Sequence, residues 1–517
     1  MKKTLRILLM GLMAFLSGNA LTSCHNDDML PVAPEGQKGY VEFSLSRGAE
    51  TRTAYALNDA NGLNVTWSEG DKVVVETTSG DIIEVFDLVS GAGTAMAKFA
   101  KKDSRFADKS GGVFIINAPG YSSEMDPTEY FVDLSNQEGD LDDLWKYDYF
   151  IFDATLNNGK IESPVFRAFV AILHFPKDFD FGVTATTADL VFCGGDNKIG
   201  PPDPAGDITV KDVSLTDGKL DDDIYVTISG TAVPTLLKVS NKTFALPAIK
   251  EAGKIYNFAE SNLREVDTTP LTLEPVSENI SVTISNPLKL TIGYRVLAAD
   301  EIMEVGSFNE TTFHITIGTG VKLQLFGDNT TYATGTLTGQ YTNIQCDGGC
   351  YIYGNFMSLI SADDFALKTK LTDDYTFVGL FRNNGQIKNH DSKALTLPAT
   401  TLATYCYVSM FEGCTNLTKA PALPAKELKN GCYVYMFNNC TSLNYLKCLA
   451  TSIASDATAS PTYNWLGSVP ASGTFWKDAS VNYAFNEFWD TSTELGSATR
   501  CAAKVLADGN WNVRNAN

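Results

Sequence analysis

The stretch "CYVSMFEGCTNL", Cys406 to Leu417, returns 26 residues later as "CYVYMFNNCTSL", Cys432 to Leu443. At the same offset Leu397-Pro398-Ala399 matches Leu423-Pro424-Ala425, and Leu402 matches Leu428. Inside the two copies Cys406-Tyr407, Met410-Phe411, Cys414-Thr415 and Leu417 match Cys432-Tyr433, Met436-Phe437, Cys440-Thr441 and Leu443. A degenerate earlier copy, "TFVGLFRNNGQI", runs from Thr376 to Ile387, with a four-residue insertion before the next coil. A fixed period in the twenties is the mark of a solenoid, whose coils bury their apolar residues only against one another and need roughly three copies plus caps. After residue 448 the period fades into "YNWLGSV" and "GTFW".

The paired cysteines admit three readings: metal ligands, crosslinks or packing. If Leu402 to Phe411 is helical, two cysteines eight apart lie ~12 Å apart along its axis. A disulfide needs Cα atoms within about 7 Å, so on that geometry a bridge inside one copy is not expected. Equivalent cysteines of successive helical coils would stand about 8–10 Å apart, again too far. The degenerate copy carries Thr376 and Asn384 at these two positions. Ligands or crosslinks would not tolerate both changes, whereas a buried loop position accepts either residue. Cys406, Cys414, Cys432 and Cys440 are therefore expected as buried free thiols, with Met410, Phe411, Leu417, Met436, Phe437 and Leu443 completing the repeat core. Phe411 and Phe437 are expected to stack. Cys346 and Cys350, around Asp347-Gly348-Gly349, leave a disulfide and two free thiols equally open.

The repeat resembles the BspA-type leucine-rich repeat of bacterial surface antigens, in which a Cys-x-x-Leu step leads into the strand of each coil. That resemblance implies a leucine-rich-repeat α/β solenoid with a C-terminal cap over 363–517.

Working outward, the whole chain has 517 residues and a formal net charge of −21. Such an acidic chain argues against nucleic acid as a partner. At the N-terminus Lys2, Lys3 and Arg6 precede an apolar stretch, Ile7 to Phe15, too short to span a bilayer. "LTSC", Leu21 to Cys24, follows and looks like a bacterial lipobox. The resemblance implies a signal peptide over 1–23 and an acylated Cys24. The acidic pair in "HNDD" resembles the surface-export signal of lipoproteins in the Bacteroides group. Residues 24–38 read as the lipidated cysteine and a flexible tether, and acyl chains would be the anchor in the outer membrane.

From 40 to 360 short β-branched runs such as "VEFSLS", "GVFIIN", "DIYVTIS" and "VKLQLFG" alternate with Gly, Asn, Asp and Pro clusters, the pattern of β-sandwiches. In "WSEGDKVVV" (67–75) Gly70 and Asp71 make a tight turn, Val73 to Val75 enter a buried strand, and Trp67 is a core anchor. Together with "VEFSLS" (41–46), "TRT" (51–53), "YDYFIFDA" (147–154), "FRAFVAILHF" (166–175) and "AGKIYNF" (252–258), it resembles the fimbrillin-like lipoproteins of the Bacteroides group. The family fold is two consecutive β-sandwiches, expected here over 39–175 and 176–265, divided where "HFPKDFDFG" breaks an apolar strand. Residues 266–362 read as a small third β domain. The expected fold class is thus mainly β, ending in a short α/β solenoid.

No nucleophile elbow, Walker loop, dinucleotide fingerprint or zincin helix occurs, and His174 and His314 sit in strand patterns that read as structural. The acidic clusters "DLDD" (140–143) and "DDD" (221–223) lack the spaced ligands and turn glycine of a calcium loop and read as solvated turns. No enzyme, cofactor or metal is expected. The leading reading is a cell-surface lipoprotein that adheres to a host or bacterial surface protein or glycan, with the solenoid presenting the contact face. The alternative is a tip, anchor or accessory component of a fimbria, partnered by fimbrial subunits. In fimbrillin-like pilins an N-terminal strand is cut away after an arginine and a neighbour's strand replaces it; the resemblance points to Arg47 or Arg52 as such a site. About 250 residues follow the fimbrillin-like half, where a shaft subunit would need a free C-terminal donor strand.

Overall fold

The computed structural model describes residues 40–46, 54–57, 63–117, 132–147, 149–199, 206–230, 232–249, 252, 254–480 and 510–516. The expected signal peptide over 1–23, the expected lipidation site Cys24 and tether, and Arg47 and Arg52 lie outside these residues. The chain is mainly β and divides into two compact units, 1–265 and 266–517.

In the first unit seven antiparallel strands form one sheet, in the order Val41–Ser46, Met96–Lys101, Ile83–Ser90, Lys72–Thr77, Gly111–Asn117, Phe150–Asn157, Lys160–Ala168. One face packs on itself: Phe43, Val73, Val75, Phe86, Phe99, Ile115, Phe150 and Phe152 share a core with Trp67. Trp67 is fully buried, with its ring edge-on to Phe99 at 4.7 Å. The turn before Val73 is closed by the Ser68 amide donating to Asp71 Oδ2 at 2.8 Å, with Gly70 at φ +89°. The opposite face is buried as well: Val74, Ile116 and Ile151 join a second core with Leu173, Phe175, Phe192 and Val226. Burial on both sides is why "KVVV" and "GVFIIN" are continuous apolar runs rather than alternating ones.

The boundary expected at 175/176 is displaced. Pro176 does end the apolar strand, but that strand, Val170–Phe175, pairs antiparallel with Ile224–Ser229 and parallel with Ile255–Asn257. It therefore joins the sheet built from the later strands of this unit rather than the seven-stranded one. A strand's partner depends on distant residues, and its own composition does not announce it.

The second unit begins with a sandwich. One sheet runs Glu301–Phe308, Ile292–Ala298, Val321–Gly327, Leu271–Pro275, Cys350–Asn355, Ile387–Asn389; the smaller one runs Thr312–Ile317, Ile280–Ser285, Asn343–Cys346. The boundary expected at 362/363 is absent, because Cys350–Asn355 is both a sandwich strand and the first rung of a coil stack. It pairs in parallel with Ile387–Asn389 and Leu395–Thr396. Parallel bridges then climb from Thr396 to Ala422, from Lys419 to Tyr445 and from Leu423 to Cys448. The stack continues through Ser472–Asp478 to Asn510–Ala516.

The helices expected over 363–517 are not formed: among the described residues the helical elements are short 3-10 turns. Each copy is instead a ladder of turns. Tyr405, Ser409 and Gly413 have φ of 53°, 52° and 76°, a left-handed residue every fourth position, and Gly431, Tyr435 and Asn439 repeat it. Alternate amides then point in different directions. Met410 and Glu412 donate within the turn to Tyr407 and Ser409, whereas Tyr407, Ser409 and Phe411 donate to Cys432, Val434 and Met436 of the next coil. An α-helix would spend every amide internally; this backbone spends half of them on stacking.

Candidate contact face

The ten repeat-core residues all fall inside the stack. Cys406, Met410, Phe411, Cys414, Leu417, Cys432, Met436, Phe437, Cys440 and Leu443 are fully buried. Two aromatic columns run through it. Phe381, Phe411 and Phe437 stack at 6.1 and 5.7 Å, and Phe377, Tyr407, Tyr433 and Trp465 at 6.0, 6.0 and 5.8 Å.

The cysteines are free thiols, and the second of each copy has a definite job. Cys414 donates to the Phe381 carbonyl at 3.1 Å and Cys440 to the Phe411 carbonyl at 3.0 Å. In the degenerate copy Asn384 Nδ2 donates to the Ile344 carbonyl at 3.1 Å from the same place. A small donor aimed at the previous coil is what the position requires, and Cys and Asn both supply it. Burial raises all of these thiols: Cys406 and Cys414 well above the ordinary range, Cys440 to about 12. They are neutral, unreactive groups rather than nucleophiles. Cys346 and Cys350 are also free and buried.

The outer face of the turn ladder carries a different set of residues. Val378 and Val408 form a small apolar cluster with Ala333, against which Leu337, Tyr341, Tyr375, Tyr405 and Val434 pack. The segment 331–342 thus lies over the first coils. Tyr341 rests where a Cβ on Gly379 would meet its ring at 2.6 Å. Beyond this cluster the face continues with Tyr435 and Tyr463, each half-buried like Tyr405 and Val434 within it. The Tyr375 and Tyr405 rings are parallel at 5.6 Å, and Tyr435 meets Tyr463 edge-on at 5.3 Å. Tyr405 lies flat over Gly431, where an added Cβ would stand 2.1 Å from its ring. Tyr375 and Tyr405 both adopt positive φ, so the backbone alone does not demand glycine at 431; the overlying ring does.

A polar line flanks the tyrosines. Arg382 Nε donates to Glu412 Oε2 at 2.7 Å, Asn438 Nδ2 to Glu412 Oε1 at 3.0 Å, and Asn464 Nδ2 to Asn438 Oδ1 at 3.4 Å. One side chain per coil is pre-positioned by its neighbour. Half-exposed tyrosines beside ordered polar groups suit contact with a partner, since each ring offers apolar area at little entropic cost. Sequence reasoning missed these residues because it followed the identities, which mark the core. The available signal was Tyr375 and Tyr405, each one residue before the first core position of its copy.

Both histidines singled out in the sequence have side-chain partners. His174 stacks on Tyr225 at 4.4 Å and bonds Asn257 and Asp223. His314 bonds Thr283 Oγ1 at 2.9 Å. In the 140–143 cluster Asp140 and Asp143 approach Glu138, and Asp143 is bonded to Lys146 at 2.8 Å. The hydrogen bond with Asp143 raises the Glu138 carboxyl, the behaviour of crowded surface acids.

No protein-family model and no curated protein matches the chain. Two solved structures are similar to part of it, each known as a "putative cell adhesion protein". The one from Bacteroides ovatus shares 10% identity, with 42% of this chain and 93% of that chain covered and a TM-score of 0.28. The one from Bacteroides fragilis shares 12% identity, with 44% and 86% covered and a TM-score of 0.21. Scores this low do not establish a shared fold.

Proposed function

We propose that this chain is a non-enzymatic cell-surface lipoprotein, anchored at Cys24 in the outer membrane, that adheres to a host or bacterial surface protein or glycan. On this reading the coil stack is a short repeat solenoid of the leucine-rich-repeat kind, and its tyrosine face makes the contact. The observation that carries the reading is the uncovered stretch of that face. Tyr435 and Tyr463 continue a surface whose first part, including Tyr405 and Val434, packs in one cluster with Leu337 and Tyr341 of the same chain. Contiguous half-buried aromatics next to a polar line are the composition of protein contact surfaces.

The test uses the full chain, because the stack and the preceding sandwich share a strand and a truncation at 363 would break both. Tyr435→Ser with Tyr463→Ser should lower adhesion to a panel of immobilised matrix proteins and glycans at least tenfold, with the melting curve checked to show that the stack still folds. Undiminished adhesion would remove this face as the contact site. The same protein isolated from its own cells should carry an acylated N-terminus at Cys24 and be monomeric. A terminus cut at Arg47 or Arg52, with denaturant-resistant oligomers, would replace the adhesin reading with the fimbrial one.

A further inference from the structure

The strand Glu301–Phe308 forms one edge of the larger sheet in the second unit. Among the described residues it pairs only with Ile292–Ala298, so its other edge presents free backbone amides and carbonyls. It also concentrates exposed apolar surface. Among the described residues of this unit, the large apolar side chains more than half exposed are Ile302 at 56%, Met303 at 67% and Val305 at 67%.

Edge strands of soluble proteins are normally blunted by lysine, by proline or by irregularity. Here residues 299–311 hold four acids, Asp300, Glu301, Glu304 and Glu310, and no Lys, Arg or Pro. A bulge interrupts the register between Val296 and Leu297, opposite Ile302 to Glu304. From Glu304 to Phe308 the pairing is regular, which leaves a five-residue edge with a defined end. Lys322 reaches the first acid, Asp300, and Tyr294 donates to Glu304 at 2.6 Å, so neither Glu301 nor Glu304 is matched to a cation among the described residues.

We propose that this edge docks an extended segment of a partner protein whose side chains alternate between apolar and basic. Strand addition would satisfy the free backbone groups, Met303 and Val305 would be covered by the apolar side chains, and the basic ones would meet Glu301 and Glu304. A second copy of this chain fits poorly, because it would bring the same four carboxylates to the seam. The proposal is independent of the tyrosine face.

The probe is a pair of ten-residue synthetic peptides alternating valine with lysine or valine with glutamate, titrated onto the full chain at low and physiological salt. The lysine peptide should bind at least tenfold tighter than the glutamate peptide, and more weakly as salt rises. Amide exchange should slow within 301–308. Glu301→Lys with Glu304→Lys, both exposed and outside the core, should reverse the preference while leaving the melting curve unchanged. Equal binding of both peptides, no binding, or protection elsewhere in the chain would overturn the proposal. So would dimerisation of the free chain that Val305→Lys abolishes, since the occupant would then be a second copy.

Discussion

Tyr407 carries a hydroxyl that is buried in the aromatic column and finds no hydrogen-bond partner among the described residues. The equivalent position of the degenerate copy is Phe377, which fills the same place without a polar atom. Leaving a buried donor unsatisfied costs about 1–3 kcal/mol, so its removal should help. Tyr407→Phe is expected to stabilise the second unit by about 1 kcal/mol, read as a raised denaturant midpoint at unchanged slope. A loss of stability would mean that the hydroxyl is bonded after all. The cysteines illustrate the opposite case. Cys414 and Cys440 look like candidates for chemistry, yet each serves as a compact donor to the preceding coil, a role that Asn384 performs equally well.

At the scale of one element, the turn ladder is held by backbone bonds to its neighbours and by columns of rings. Phe411 touches Phe356 and Phe381 below it and Phe437 above it, so it is packed on both sides. Truncating such a ring removes its burial and leaves a cavity that stacked coils cannot collapse without breaking their ladder. Phe411→Ala or Phe437→Ala should each cost about 3–5 kcal/mol. Because coils contact mainly their neighbours, the loss should appear in the calorimetric transition of residues 266–517 and spare that of the first unit. An unchanged melt would show that these rings do not carry the stack. The ladder also accounts for the wrong helical expectation. Tyr, Cys, Val and Phe at these spacings suit either conformation, and the choice was made by the next coil's carbonyls, which accept what a helix would have used internally.

At the scale of the whole molecule, the two units should respond differently to alkali. Cys406, Cys414, Cys432, Cys440 and Cys448 are all raised by burial, Cys440 and Cys448 to about 12, and all lie in the second unit. In the folded state these thiols keep their protons, whereas in the unfolded chain they lose them above about pH 8.5. The folded state then binds more protons, so stability is complete below that value and falls as pH rises toward 12. Each thiol contributes a slope of about 1.4 kcal/mol per pH unit in that window. The second unit should therefore unfold cooperatively between about pH 9 and 11, while the first, with Cys193 as its raised thiol among the described residues, persists longer. Thiol alkylation followed against pH should show the stack cysteines reacting together at the unfolding midpoint. Gradual, independent alkylation near pH 9 would contradict their burial.

What the sequence determined by itself was whatever repeats or alternates. The 26-residue period announces stacked coils, the identities mark their buried residues, and β-branched runs between turn residues announce the sandwiches, because each signal is local and set by burial on a regular backbone. Thr376 and Asn384 in the degenerate copy already pointed to packing for the cysteines, and the structure buries them. The tertiary structure alone decided the rest. It assigned Val170–Phe175 to its partners, merged residues 266–362 with the stack through Cys350–Asn355, turned the expected helices into ladders, and left Tyr435 and the outer edge of Glu301–Phe308 without a covering element among the described residues. Each of these outcomes depends on which distant residues supply a hydrogen bond or a covering side chain, and no local pattern in the chain encodes that choice.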